Sequence, residues 1–341
     1  MPEAASGAAA RHPLNIRPLL AFTAAMLASA LLYLAVFSVV HRPMTMGNMA
    51  QTLQRKTAHA QSLPRPRLLV FAGSNGRYSH RCSSLTETTG LPCTNLSMAV
   101  GIGLDFQLAQ FEPLLGPGDV LYLPLEYSQY LVSREEMDSG AQNPALMHEL
   151  REQLWQLSLP RIARVVSSFD LPFLVHGLLE MGLSRAGLQR RGGQAGDSTP
   201  EGDERGHTAA ASAPYQAFLR QTRFDPRPLP LNSHALDVLD AFLGRAQARG
   251  VTVFGGLPTT PDNVALDDAG IQRLQQMYQR HGFGFIQLPQ RSQYPLSCFH
   301  DTLYHLNEEC QMAHSRAVGQ VLAKSLALAS RDGGAERSHG S

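Results

Sequence analysis

Two short runs, Leu68 to Ala72 and Val120 to Leu125, are apolar throughout, and they constrain this chain more than anything else in it. A strand with one wet face alternates apolar and polar residues, so unbroken apolar runs this short predict strands buried on both faces of a parallel sheet. Three further strand candidates are Pro92 to Met98, Val251 to Leu257 and Phe283 to Leu288. Parallel strands need crossovers, and helical patterns stand where crossovers are required. Ser79 to Thr88 closes at Gly90, and Leu104 to Leu115 repeats apolar residues at Leu104, Leu108, Phe111 and Leu115. His234 to Arg249 closes at Gly250, and Leu266 to Arg280 and Asn307 to Ala329 complete the set. The expected fold is therefore α/β, a three-layer doubly wound parallel sheet of about five strands with helices on both faces.

That rhythm stops between residues 131 and 230. Leu146 to Val166 and Leu171 to Leu188 read as helices, the first carrying Trp155, the only tryptophan. Arg191 to Ala213 is rich in Gly, Ser, Thr, Ala and charge, and with almost nothing to bury it is expected to be disordered. The insertion reads as a lid, a partner-docking element or a plain cap. Residues 331–341 read as a frayed tail.

Before the α/β region, residues 1–18 form a tail, and Leu19 to Val40 carries no charge. A helix of about 22 residues spans roughly 33 Å, enough for a bilayer core, so a single transmembrane helix is predicted. A signal-peptide core is shorter, and the one Ala-x-Ala site, Ala58-His59-Ala60, lies far beyond the apolar run. Residues 41–66 are polar and read as a linker or short helix holding a domain of residues 67–330 off the membrane. Arg11 and Arg17 precede the apolar run, and Arg42, Arg55 and Lys56 follow it, so flanking charge does not orient it. The formal net charge is +1 with no basic stripe, and nucleic-acid binding is not expected.

Cysteines speak to the compartment. The four fall as two local pairs, Cys82 with Cys93 and Cys298 with Cys310. Oxidised, each pair would close a loop stabilising the fold by about 3 kcal/mol; reduced, they would be buried thiols. Even, clustered cysteines beside an export signal fit an oxidising space. The expected placement is single-pass in the inner membrane, with the globular part in a bacterial periplasm. No metal-ligand spacing, phosphate loop or dinucleotide fingerprint is present, so neither metal nor cofactor is expected.

The chemistry is expected where the first strand ends, in Gly73-Ser74-Asn75-Gly76. Open α/β sheets hold ligands at the carboxyl ends of their strands, and glycines let the backbone turn there and approach a substrate. Ser74 is the candidate nucleophile. A serine needs a base oriented by an acid, and the segment CFHDTLYHLNEEC supplies His305 and Asp301.

These residues resemble the SGNH (GDSL-like) hydrolase superfamily, whose members carry Gly-x-Ser after the first strand and Asp-x-x-His near the C-terminus. The flavour is that of membrane-anchored members that help O-acylate envelope polymers, such as alginate acetylation proteins and the D-alanyl transfer protein of teichoic acid synthesis. The resemblance covers about Arg67 to Lys324 without the insertion. It implies a serine esterase or O-acyltransferase acting on acyl, chiefly acetyl, esters of an exported polysaccharide or glycan, with a membrane O-acyltransferase as possible partner. A catalytically degenerate partner protein is the alternative. Asp301 and His305 are separated by three residues instead of two, and Pro124-Leu125-Glu126-Tyr127 replaces the expected Gly-x-Asn-Asp block. The oxyanion and substrate-binding candidates are then Asn75, Gly101 or Gly103, and Tyr127 as a phenolic donor or an aromatic wall. Glu126 reads as a binder of a sugar hydroxyl or a solvated carboxylate.

Overall fold

The computed structural model describes residues 16–44, 49–140, 143–188, 198–230 and 232–338. The first 15 residues, positions 189–197, which include the start of the stretch expected to be disordered, and the last three residues lie outside these.

Helix α1 (Arg17–Val39) is apolar, largely exposed, and long enough to cross a membrane. Within the stretch expected to be a linker or short helix, helix α2 (Met49–Ser62) forms and docks on the α/β domain through Leu53, Lys56 and Ala60. Lys56 is buried, and its ammonium donates to the carbonyls of Asn95 and Gly202 at 2.5 and 2.8 Å. An ammonium out of water needs such acceptors, and these come from parts of the chain far from it in sequence.

From here strands and helices alternate as the sequence predicts. Strand β1 (Leu68–Val70) leads into α3 (Ser74–Ser79) and α4 (Cys82–Thr89), and Gly90 at φ 72° ends α4 in the left-handed region open to glycine. Strand β2 (Cys93–Asn95), helix α5 (Leu104–Phe111) and strand β3 (Val120–Leu123) follow. The insertion supplies α6 (Tyr127–Leu131), α7 (Arg134–Asp138), α8 (Asn143–Glu149), α9 (Leu159–Val166), α10 (Leu171–Arg185), α11 (Ala209–Ser212) and α12 (Gln216–Gln221). One expected helix, Leu146 to Val166, is thus divided. Ser158 caps a new start by accepting the Arg161 amide, and Pro160 suits only a first turn.

The α/β pattern resumes with α13 (His234–Ala248), β4 (Thr252–Gly256), β5 (Thr260–Pro261), α14 (Asp268–Arg280), β6 (Gly284–Ile286) and β7 (Gln293–Tyr294). Helix α15 (Glu308–Ser338) closes the chain, so most of the tail expected to fray continues a helix. The main sheet is five-stranded and parallel, in the order β2-β1-β3-β4-β6, while β5 and β7 pair separately. Alternate strand residues feed opposite layers. Leu69, Leu121 and Val253 pack with α5 and α13, and Leu68, Val70, Tyr122 and Phe254 pack with α4 and α15.

Ser198 to Ala213, expected to be disordered, is a second correction. Its few apolar residues say nothing of its polar ones, which anchor it. Asp203 is fully buried, accepting the Cys82 amide at 2.8 Å and the Asn95 side-chain amide at 2.9 Å. Glu204 pairs with Arg77. Two disulfides, Cys82–Cys93 and Cys298–Cys310, join α4 to β2 and brace the loop before α15.

Candidate active site

Strand order reverses direction between β1 and β3, and that is where open α/β sheets leave a crevice at the carboxyl edge. Ser74 follows β1 and Glu126 follows β3, so the crevice brings both to one place. The Gly73 turn between them has no room for a side chain: a Cβ there would lie 2.2 Å from Val100 Cγ1 and 2.6 Å from Glu126 Oε1.

Ser74 Oγ lies 2.8 Å from His305 Nε2, and His305 Nδ1 lies 2.6 Å from Asp301 Oδ1. With Nδ1–H donating to the carboxylate, Nε2 is left to accept the serine proton, the arrangement of an activated nucleophile. Burial acts to raise the Asp301 carboxyl, but its hydrogen bond to His305 and the charges of His305 and His300 outweigh that and hold it below its usual range. It stays an acceptor.

Asp301 and His305 are carried on a closed loop. Phe299 and Leu306 form an antiparallel bridge, the Asn307 amide donates to the Cys298 carbonyl at 2.6 Å, and Cys298–Cys310 holds the ends. Ser79 and Thr259 both donate to the Tyr304 carbonyl, at 3.0 and 2.7 Å, fixing the loop against α3 and the edge of β4. Tyr78 stacks flat on His305, with centroids 4.1 Å apart and planes 8° from parallel. Tyr78 lies four residues after Ser74, the helical spacing that puts both on one face. That spacing was the available signal for a residue the sequence reading passed over.

The oxyanion candidates fare differently. Asn75 turns its side chain inward, donating to the Pro124 carbonyl at 2.8 Å, and only its backbone amide faces the site. Gly103 is corrected: its amide closes a turn onto the Val100 carbonyl at 3.0 Å and is spent there. Gly101 sits in that turn, on the wall of a cavity. Tyr127 is corrected too, because it is withdrawn into the core at 2% exposure with its hydroxyl buried and unpaired, giving a substrate neither donor nor wall.

Glu126 is neither solvated nor turned outward. It is 4% exposed, and Oε1 accepts from the Asn75 amide at 3.2 Å and from Ser74 Oγ at 3.3 Å. One hydroxyl proton cannot serve two acceptors, and the shorter contact of Ser74 is to the imidazole. Burial raises the Glu126 carboxyl above its usual range, against the opposing influences of His305, the Asn75 amide and the Ser74 and Ser128 hydroxyls. Gln129 Oε1 accepts both the Gly73 and Glu126 amides at 3.0 Å, clamping the two turns together.

Beside this clamp lies a cavity of about 370 Å³, mainly apolar, walled by Val100, Gly101, Leu104, Ser128, Val132 and Met137. Ser128 reaches Glu126 Oε2 at 3.4 Å, which ties the cavity wall to the serine's neighbour. No group of three or more His, Cys, Asp or Glu converges to hold a metal among the described residues. Comparison of the chain with protein-family models, curated proteins and solved structures yields no match.

Proposed function

We propose that the protein is a serine-dependent ester hydrolase or O-acyltransferase of SGNH type, anchored by α1 with its domain outside the cytoplasm. The observation that carries the reading is the unbroken relay from Ser74 through His305 to Asp301. Ser74 Oγ attacks an ester carbonyl and passes its proton to His305, which delivers it to the leaving alcohol. A water or a sugar hydroxyl then attacks the acyl-serine, its proton returning through His305 to Ser74 as the acyl group leaves. The Asn75 backbone amide, which donates to Glu126 Oε1 at 3.2 Å when no substrate is bound, is the donor this reading assigns to the developing oxyanion. The apolar cavity walled by Val100 and Gln129 receives the acyl group in this reading. The resemblance to membrane-anchored O-acylation proteins supports acyl esters of an envelope or exported polysaccharide as substrate, and a membrane O-acyltransferase as partner. The disulfides and the apolar α1 support the extracytoplasmic placement.

The test is covalent labelling with a fluorescent organophosphonate. Wild type is expected to label and Ser74→Ala and His305→Ala to stay dark; an unlabelled, folded wild type overturns the reading. One observation favours a second reading, a non-catalytic partner of an acyltransferase. A carboxyl group occupies the Asn75 amide where an oxyanion donor would be expected.

A further inference from the structure

The insertion presents an apolar surface that the domain itself does not cover. On α10, Leu171, Leu178 and Leu179 are 70%, 54% and 59% exposed, and just before and at the start of α9 Trp155 and Leu159 reach 81% and 78%. Leu171, Leu178 and Leu179 share one face of α10 by helical spacing, and an exposed apolar face of this kind marks a contact surface. The opposite side of α10 is fully used. Phe173 lies 6.2 Å from Phe37 between ring centroids, and Gly177 lets α10 approach so closely that a Cβ there would meet Val40 Cγ1 at 2.6 Å. Phe169 stacks on Phe37 at 4.8 Å, Tyr33 donates to the Val166 carbonyl at 3.1 Å, and Arg42 pairs with Glu180 at 2.9 Å.

These contacts fasten α9 and α10 to the last two turns of α1 and the residues just after it. That is the level at which a membrane helix leaves the hydrocarbon. The pair is bent by 63°, too sharply for one straight span. Arg151 ahead of α9, Arg164 on α9 and Arg185 at the end of α10 are exposed, and cations beside an apolar face suit a headgroup layer. A tryptophan with one apolar body and one N–H donor belongs at that depth.

We infer that α9 and α10 lie in the interfacial layer of the bilayer beside α1, with Trp155, Leu159, Leu171, Leu178 and Leu179 against lipid. The domain is then held to the membrane at two places and cannot swing about α1. The inference rests on α1 being the anchor, and its test separates the two. Trp155 is the only tryptophan in the chain, so its emission reports this surface alone.

Full-length protein is reconstituted into phosphatidylcholine–phosphatidylglycerol vesicles with and without brominated acyl chains. Flotation on a density gradient reads the anchor, and Trp155 quenching reads the surface. The expected result is flotation, a blue-shifted emission, about a twofold loss of emission in brominated vesicles, and protection from aqueous iodide. Leu171→Glu with Leu178→Glu is expected to restore iodide quenching without changing flotation. Flotation with Trp155 open to iodide and untouched by brominated lipid overturns the inference and leaves the anchor standing. In that case, dimerisation or capture by a co-reconstituted acyltransferase assigns the face to protein. Failure to float overturns both.

Discussion

Glu126 Oε1 stands 3.3 Å from Ser74 Oγ and touches, through the same atom, the amide of Asn75. Ionised, that carboxyl opposes the negative charge of a tetrahedral intermediate; neutral, it adds an O–H donor to the corner where that charge forms. Burial favours the neutral form. For the reaction proposed at Ser74, the protonation state of Glu126 then sets whether the corner stabilises or resists it.

The pH profile follows with a definite sign. A carboxyl whose folded value is raised is neutral at low pH and ionises as pH rises through that value. The rate is expected to carry a descending limb from Glu126 on its alkaline side. Glu126→Gln, a permanent amide donor, is expected to lose that limb, and Glu126→Ala to fall about 10²-fold below wild type on the acid side, the gap closing as pH rises through the raised value. Hydrolysis of an aryl acetate across the pH range checks both. Stability has the same sign: wild type is expected to lose stability relative to Glu126→Gln as pH rises through the raised value.

Asp301→Asn tests the orienting acid apart from the base. The amide is expected to favour the wrong imidazole tautomer and lower turnover by about 10⁴-fold while leaving the melting temperature near that of wild type. Equal turnover in the variant would remove Asp301 from the relay.

The cavity is larger than an acetyl group needs. Butyryl and hexanoyl aryl esters are expected to be accepted beside acetyl, and Val132→Trp to reject the longer esters while retaining acetyl turnover. The ratio of kcat/KM across the ester series is the readout. A wild type that takes acetyl alone would show that the acyl group does not enter this space.

Cys298→Ser with Cys310→Ser is expected to cost about 3 kcal/mol of stability, from the freedom regained by the open loop. Because that loop carries Asp301 and His305, organophosphonate labelling is expected to slow even where the variant remains folded. Denaturant titration and labelling rate, measured together, check this.

Acid should unfold the domain through two histidines away from the site. Burial drives His80 down to about 3 and holds His314 well below its ordinary value, and the two rings meet at 3.3 Å. Both are neutral when folded and take a proton when unfolded. The stability they leave intact above about 6.5 is therefore expected to fall as pH drops from there towards 3, and His314→Gln to flatten the slope. Urea midpoints between pH 4 and 8 measure it.

Local sequence carried the sheet well, because unbroken apolar runs such as Leu68 to Ala72 have few other homes. It also singled out Ser74, His305 and Asp301, which the fold brings within hydrogen-bonding distance, since nucleophile, base and acid are recognisable by type. What escaped depends on neighbours across the sheet. The sequence leaves Glu126 open as a sugar-hydroxyl binder or a solvated carboxylate, because nothing near it says that β3 lies beside β1. Ser198 to Ala213 read as disordered because apolar content measures one way of being held, whereas Asp203 and Glu204 are held by polar contacts. The same blindness hides the docking of α2, whose Lys56 finds its acceptors in residues 95 and 202.

That lysine bears on how far the protein can reach. With α2 moored to the domain, only residues 40–48 separate it from α1, a leash of about 30 Å even when stretched taut. Under the function proposed above, the Ser74 hydroxyl then works at a set height over the lipid surface, and a polymer substrate has to be brought down to it.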